Sequence, residues 1–327
     1  MLPFGYAQAK DVGNAIQLMG RAPHAMFVAG GTDMLQLLRE GVIEPAELID
    51  LNALPLAGIE ADGEGLRIGA LARLSDVADH ARVRAEFPVL ARALAETASP
   101  QVRNMATIGG NLLQRTRCLY FRDVAVPCNK RQPGSGCPAL DGQNRMNAIL
   151  GGSAHCIAAY PGDMANALIV LDAMLTVHGP EGERRLKVEE LHREPGDAPH
   201  VETTMRPGEI ITAIHLPSSA HAGNSHYVKI RDRASFEWAL VSAAAAIEVA
   251  DGAVRVARVA AGGVATKPWR LPEVEHRLVG RKLDEAAALT AAEAAAHGAA
   301  LRPGTAFKAI LLRRAVERVL LMAGGLA

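Results

Sequence analysis

After a short strand, the apolar residues Val12, Ala15, Ile16 and Met19 recur at helical spacing on a polar background and predict a helix with one buried stripe. Residues 25–29 form a compact apolar run that reads as a buried strand. The run breaks at Gly30-Gly31 and resumes over 32–38 as a helix with Thr32 or Asp33 near its start. A further strand is predicted at 47–51, so positions 1–55 form a small α/β lobe.

A second lobe begins with a hairpin joining 59–60 to 66–68 through Asp62-Gly63-Glu64-Gly65. Ser75 is placed to cap a short helix, and Val89, Leu90, Ala93, Leu94 and Thr97 keep helical spacing across 87–98. A helix follows at 163–173, a hairpin at 174–188 around Gly179-Pro180-Glu181-Gly182, and a strand at 210–214 before Pro217. The polar, glycine-bearing stretch 215–224 reads as a boundary. Beyond it, 227–230, 240–249 and 253–260 read as strands of a separate antiparallel sheet, although 240–249 also fits a helix. Three helices close the chain at 271–279, 283–297 and 303–322, the last with Phe307, Ile310, Leu311, Ala315, Val319 and Leu320 at helical spacing. The alanine run at 286–300 expresses helix propensity and not a repeat. The expected fold is α+β: a two-lobed domain over 1–217, with lobes 1–55 and 56–217, and a second domain over 218–327.

Composition narrows the class. Of 327 residues 49% are hydrophobic, enough for a large core and for more than one domain. Lys plus Arg and Asp plus Glu are 35 each, a neutral balance that argues against nucleic acid as the main partner. No apolar run approaches the ~20 residues of a membrane helix. Residues 1–10 lack the charged and apolar regions of a secretion signal, which predicts a cytoplasmic chain unless a signal-bearing partner exports the folded complex.

A strand that ends in two glycines and continues into a helix suits an anion. Backbone N–H groups can approach a phosphate there, and the helix start adds positive dipole. Ala29-Gly30-Gly31-Thr32-Asp33 and Ile108-Gly109-Gly110-Asn111 fit that form, and together would hold the two phosphates of a dinucleotide. Neither is the G-x-G-x-x-G fingerprint or a P-loop. Taken singly, each is also what an ordinary turn looks like, and Gly151-Gly152, Gly262-Gly263 and Gly324-Gly325 read that way.

The chain's four cysteines, Cys118, Cys128, Cys137 and Cys156, all fall in one region and stand singly along it. Zinc sites usually take ligands in close C-x₂₋₄-C pairs, whereas wide single spacing suits an iron–sulfur cube. Arg115, Arg117, Arg122, Lys130 and Arg131 crowd the same stretch, where cations would offset a thiolate-bound cluster. Pro127, Pro133, Gly134, Gly136 and Pro138 suggest a loop, 115–156, without an obvious core of its own. A zinc site with His155 as a further ligand, two disulfides, and free buried thiols stay open on spacing alone.

The segments Ala29 to Asp33, Thr107-Ile108-Gly109-Gly110-Asn111-Leu112 and Lys229-Ile230-Arg231-Asp232-Arg233-Ala234-Ser235 resemble, in order and spacing, the FAD-binding subunit of molybdenum hydroxylases, the xanthine dehydrogenase family. The cysteine region, Asn111 to Cys118 with Pro127-Cys128-Asn129-Lys130-Arg131 and Pro133-Gly134-Ser135-Gly136-Cys137, is similar to the branch whose flavin subunit also carries a [4Fe-4S] cluster, typified by bacterial periplasmic aldehyde oxidoreductase. The resemblance covers essentially the whole chain. It implies a two-lobed FAD domain of the vanillyl-alcohol-oxidase (PCMH) type, and a C-terminal domain like that of the CO dehydrogenase flavoprotein. Val28, Ala29, Gly30, Gly31, Thr32, Asp33 and Met34, with Thr107, Gly109, Gly110 and Asn111, would wrap the FAD pyrophosphate. Asp163 would bond the ribose or flavin side and Lys229 would reach the flavin. The four cysteines would ligate the cluster. On their own residues, Asp163 reads as a helix cap and Lys229 as a solvated strand residue. Arg231 and Arg233 are candidate flavin neighbours, with salt bridges within the domain as the plainer reading.

The family's division of labour implies a partner small subunit with [2Fe-2S] clusters, a large subunit with molybdenum cofactor, and an external electron acceptor. No acid/base triad is then expected in this chain, and none is evident. A flavin subunit resembling that of 4-hydroxybenzoyl-CoA reductase, a zinc-stabilised scaffold without redox function, and a flavin oxidoreductase acting alone are the alternatives.

Overall fold

A computed structural model describes residues 2–327. Strands β1 (Gly5–Gln8), β2 (Ala25–Val28) and β3 (Glu47–Asp50) form a parallel sheet in the order β1-β3-β2. Parallel neighbours need crossovers, and two helices supply them. Val12–Arg21, capped where the Asp11 carboxylate accepts from Asn14 N at 2.7 Å, joins β1 to β2. Met34–Arg39 joins β2 to β3 and buries Leu37 and Leu38.

The second lobe is an antiparallel sheet of β4 (Ile59–Asp62), β5 (Gly65–Gly69), β6 (Met174–Gly179), β7 (Gly182–Lys187) and β8 (Ile210–Leu216), in the order β4-β5-β8-β6-β7. Its helices Pro88–Ala95 and Met164–Val170 lie in one apolar core with it, and every residue of Met164–Val170 is buried. Ser75 does not cap: the helix Leu74–Asp79 has Arg73 at its N-cap position, and no side chain accepts there.

A third, antiparallel sheet follows, β9 (Ser225–Ile230), β10 (Val241–Ala250), β11 (Ala253–Gly262) and β12 (Trp269–Arg270), ordered β12-β11-β10-β9. The stretch that fitted either class is the strand β10. Along it Ala244 and Ala246 join the core of the second lobe, while Val241, Ala243, Ala245 and Ile247 join a core built with the C-terminal helices. Alternation is intact, but both faces are buried and apolar, so the usual polar counter-signal is missing. The last helix, Phe307–Ala323, covers the far face through Leu312, Val316, Val319 and Leu320, whereas Ile310 is exposed.

Residues 115–156 hold little regular structure beyond the helix Leu119–Arg122 and the 3-10 turn Pro138–Leu140. They do have a small core, contrary to the expectation from composition. Phe121, Ala139, Ile157 and Ala158 pack with Leu37 and Val42 of the first lobe and with all four cysteines.

One polar group of side chains joins the second lobe to the third sheet. Asp163 is 2% exposed, and its carboxylate accepts from Tyr227 Oη at 2.6 Å, Lys229 Nζ at 2.8 Å and Thr97 Oγ1 at 3.3 Å. Asp163 therefore stands at the N-cap position of Met164–Val170 without capping it, and Lys229 is buried rather than solvated. Burial and the adjacent carboxylate push the Tyr227 phenol well above its ordinary range, which keeps it a donor. Tyr227→Phe removes a donor to a buried carboxylate and should cost about 2 kcal/mol of stability, read by chemical denaturation.

Candidate cofactor-binding site

Between the first two lobes lies a cleft of about 400 Å³. Val28, Ala29, Gly30, Gly31, Thr32, Asp33 and Met34 line one wall, and Thr107, Gly109, Gly110 and Asn111 face them. The turn after β2 is shaped by backbone demands. Gly31 has φ +68°, and a methyl on Gly30 would meet Met105 O at 2.0 Å. Among the described residues, no other group of the chain accepts from the N–H groups of Gly30 to Asp33, so they face the cleft free to bind an anion.

The second turn differs from the form read in the sequence. It follows no strand; its glycines lie inside the short helix Ile108–Leu112, capped where Thr107 Oγ1 accepts from Gly110 N. Ile108 N and Gly109 N donate to Ala72 O and Ala70 O at 3.0 and 2.8 Å, and Asn111 N donates to Thr107 O at 2.8 Å. This turn offers a flat approach and a side chain instead of main-chain donors. Asn111 Oδ1 is buried without a partner, an orphaned acceptor beside the cleft. Both helices at the turns are short, so local N–H groups matter here more than any summed dipole.

Asp33 has a second job. Its carboxylate binds the Arg117 guanidinium at 2.8 Å and that of Arg122 at 2.7 Å, and accepts from Arg115 N at 2.8 Å. The residue expected to wrap a pyrophosphate thus pins the cysteine-bearing loop to the first turn. Burial pulls Arg117 down to about 10, so it stays charged at neutral pH. It lies 4.2 Å over the Trp238 ring, and Arg233, Phe236, Glu237 and Trp238 close one end of the cleft. Arg233 lines the cleft and pairs with Glu237 of its own domain at 3.5 Å, while Arg231 pairs with Glu96 of the second lobe at 3.6 Å.

Asp163 and Lys229 are not among the cleft-lining residues; they stand behind Thr97 and Ala98, which are. Lys229 Nζ also donates to Glu96 O at 3.1 Å, so the pair braces that wall from the rear. Trp238 and Phe236 carry little signal in the local pattern. A lone tryptophan beside a run of charges, in a chain with only two, was the available signal.

The cysteines gather on the other side of Arg117. Cys118, Cys128 and Cys156 are buried and Cys137 is partly so, all in the small core above. Donors point at sulfur: Asn147 Nδ2 to Cys118 Sγ at 3.5 Å and Ala158 N to Cys156 Sγ at 3.4 Å. Burial pushes the Cys137 thiol up and that of Cys156 to about 11. His155 is half exposed and points to Asp197 at 3.5 Å, away from a shared ligand set.

His192 supports the second turn. Its Nε2 donates to Leu112 O at 2.8 Å, and its ring lies 4.4 Å from that of Tyr160. Its Nδ1 has no partner, and burial pulls the imidazole down to about 4.

A glycine turn with free N–H groups, facing a second glycine-bearing turn across a two-lobed cleft, defines a dinucleotide-cofactor-binding domain of flavoprotein type. The chain belongs to the FAD-binding subunits of molybdenum hydroxylases. Residues 2–219 match the family described as the FAD binding domain in molybdopterin dehydrogenase, and residues 226–323 match the CO dehydrogenase flavoprotein C-terminal domain. The aldehyde oxidoreductase FAD-binding subunit PaoB of Escherichia coli K12 is 49% identical over 85% of this chain and 86% of its own length. The carbon monoxide dehydrogenase medium chain of Hydrogenophaga pseudoflava is 28% identical over 90% of this chain and 87% of its own. A solved structure of carbon monoxide dehydrogenase from the same organism superposes with a TM-score of 0.78 at 25% identity, covering 100% of both chains. No helix is long and apolar enough to cross a membrane among the described residues.

Two outcomes follow from this geometry. Gly30→Ala should yield folded protein that has lost most of its FAD, measured as the flavin-to-protein absorbance ratio. For His192, folded and unfolded chains are both neutral above pH 6.5; between there and about pH 4 only the unfolded chain gains the proton. Stability should therefore fall as pH drops through that window, by on the order of 3 kcal/mol in all. Denaturation of His192→Gln over the same range should lack this part of the slope.

Proposed function

We propose that this chain is the FAD- and [4Fe-4S]-carrying electron-transfer subunit of a molybdenum-dependent aldehyde-oxidising complex. Its partners are a small subunit with [2Fe-2S] clusters and a large subunit that holds molybdenum cofactor and the substrate pocket; electrons leave through this chain to an external acceptor. The relative at 49% identity, an aldehyde oxidoreductase FAD-binding subunit, supports the aldehyde assignment.

The observation that carries the cluster reading is the gathering of four cysteines in one core, one residue along the chain from a cleft-lining arginine. Four thiols that share one core and stand singly along the chain fit a group ligated from several directions. Amide and backbone N–H donors aimed at sulfur, with Lys130 near Cys156, suit its negative charge. The buried thiols would lose their protons on ligation.

When bound, FAD exchanges electrons singly or in pairs and an iron–sulfur cluster exchanges them singly. The chain's own contribution is positional. Gly30 to Asp33 offer N–H groups to the diphosphate, and Thr97, Ala98 and Trp238 wall the cleft. Asp33 holds Arg117 and the adjoining Cys118 at a fixed distance from the first turn.

The test is the cofactor inventory of the complex, purified anaerobically. About one FAD and, beyond the partner's [2Fe-2S] clusters, about four irons should be found for each copy of this chain. Cys128→Ser should remove those four irons and leave FAD in place. A complex whose iron is unchanged by that substitution, or a colourless chain containing zinc, defeats the reading. Turnover of the folded, cluster-free variant then shows whether the cluster lies on the obligatory electron path.

A further inference from the structure

The start of the last helix is docked on the cysteine-bearing segment by contacts that electron transfer itself does not call for. Arg302 Nε donates to Leu140 O at 3.1 Å, and Ala300 N donates to Ile149 O at 2.8 Å. A methyl on Gly304 would meet Asn144 Oδ1 at 2.3 Å, so the two segments touch closely there. At the centre of this contact is Lys308, 0% exposed. Its Nζ donates to Asn147 O at 2.9 Å and to Gly263 O at 2.7 Å. Asn147 is itself buried, and its side-chain amide is the donor to Cys118 Sγ. A single residue therefore separates the ammonium from a cysteine sulfur.

Among the described residues, no carboxylate pairs with this ammonium. Both acceptors are neutral carbonyls, and the charged neighbour that bears on Lys308 is another cation, Arg145. Burial pulls the ammonium down to about 7. An ammonium this deep is destabilising unless an opposite charge offsets it. If packing were all that mattered, methionine would fill the same space without that cost. A group held by four thiolates carries net negative charge, and the cysteine core beyond Asn147 is where that charge would sit.

We propose that Lys308 is a positioning residue for the cysteine-bound cluster: it holds Asn147 against the Cys118 sulfur and supplies buried positive charge that offsets the cluster's negative charge. The inference rests on the reading of the cysteines proposed above. It makes the cluster environment a joint product of residues 115–156 and the C-terminal helix, which lies far from them in sequence. A nearby positive charge favours the more negative, reduced form of a cluster, so Lys308 raises its reduction potential.

The experiment uses the holo complex with Lys308→Gln, which keeps a hydrogen-bond donor but no charge, and Lys308→Met, which keeps neither. The readouts are the midpoint potential of the cluster by EPR-monitored titration and the iron retained per FAD. Both substitutions should move the midpoint to more negative potential, and Lys308→Met should also lose iron faster on dilution or chelation. FAD content should match the wild type in both. An unchanged midpoint in variants that keep FAD and iron overturns the proposal and leaves Lys308 as a brace for the helix. Parallel loss of FAD and iron in both variants also overturns it, since that is general destabilisation. A complex that is otherwise wild type and whose iron is insensitive to Cys128→Ser defeats the cysteine reading itself, whatever the Lys308 variants show.

Discussion

The carboxylate of Asp33 is the constraint on which the site depends. It belongs to the first glycine turn, yet its partners, Arg115 N and the guanidinium groups of Arg117 and Arg122, belong to the cysteine-bearing loop. Three charge-assisted bonds to one small group fix a segment that has almost no regular structure. Arg117 and Arg122 are both largely buried; without Asp33, Arg117 would lose its ion pair and Arg122 would keep only the more exposed Glu40 at 3.4 Å, a loss more costly than that of an ordinary surface pair. The cleft and the cysteine core thereby become one object. Arg117 forms the shared wall, stacked on Trp238 on the cleft side and peptide-bonded to Cys118 on the other.

The same logic of joined parts runs through the third sheet. Alanines at 243 to 246 let helices lie close to both faces of β10, so the strand is sandwiched between two cores. Where the layers meet, Asp163, Tyr227 and Lys229 are satisfied by one another, which is the condition for burying charge without destabilising the fold.

What the sequence made legible was local. The β2 run, its glycine break and the following helix were readable because pattern and turn chemistry lie within a few residues of each other. The cysteine region stood out because its thiols and cations are crowded together along the chain. What stayed hidden depended on distant partners. The N–H groups of the second turn are taken by Ala70 and Ala72, which no inspection of 107–111 could show. Asp163 looked like a cap and Lys229 like a solvated residue because each conceals the other. In β10 the period-two signal was present, but with both faces apolar it could not be told from a helix. The approach of Lys308 to the cysteine segment joins residues 161 positions apart and leaves no trace in either stretch.

The contact between Gly30 and Met105 carries a consequence for how such a protein can change over generations. The touching atoms are main-chain ones, while Leu113 and Phe236, which line the cleft, are 41% and 56% exposed. The grip is written in backbone geometry and the mouth in replaceable side chains. Mutation can therefore redraw the exposed surface around the cleft and leave the backbone geometry of the turn untouched, so one scaffold can change what it meets without being rebuilt.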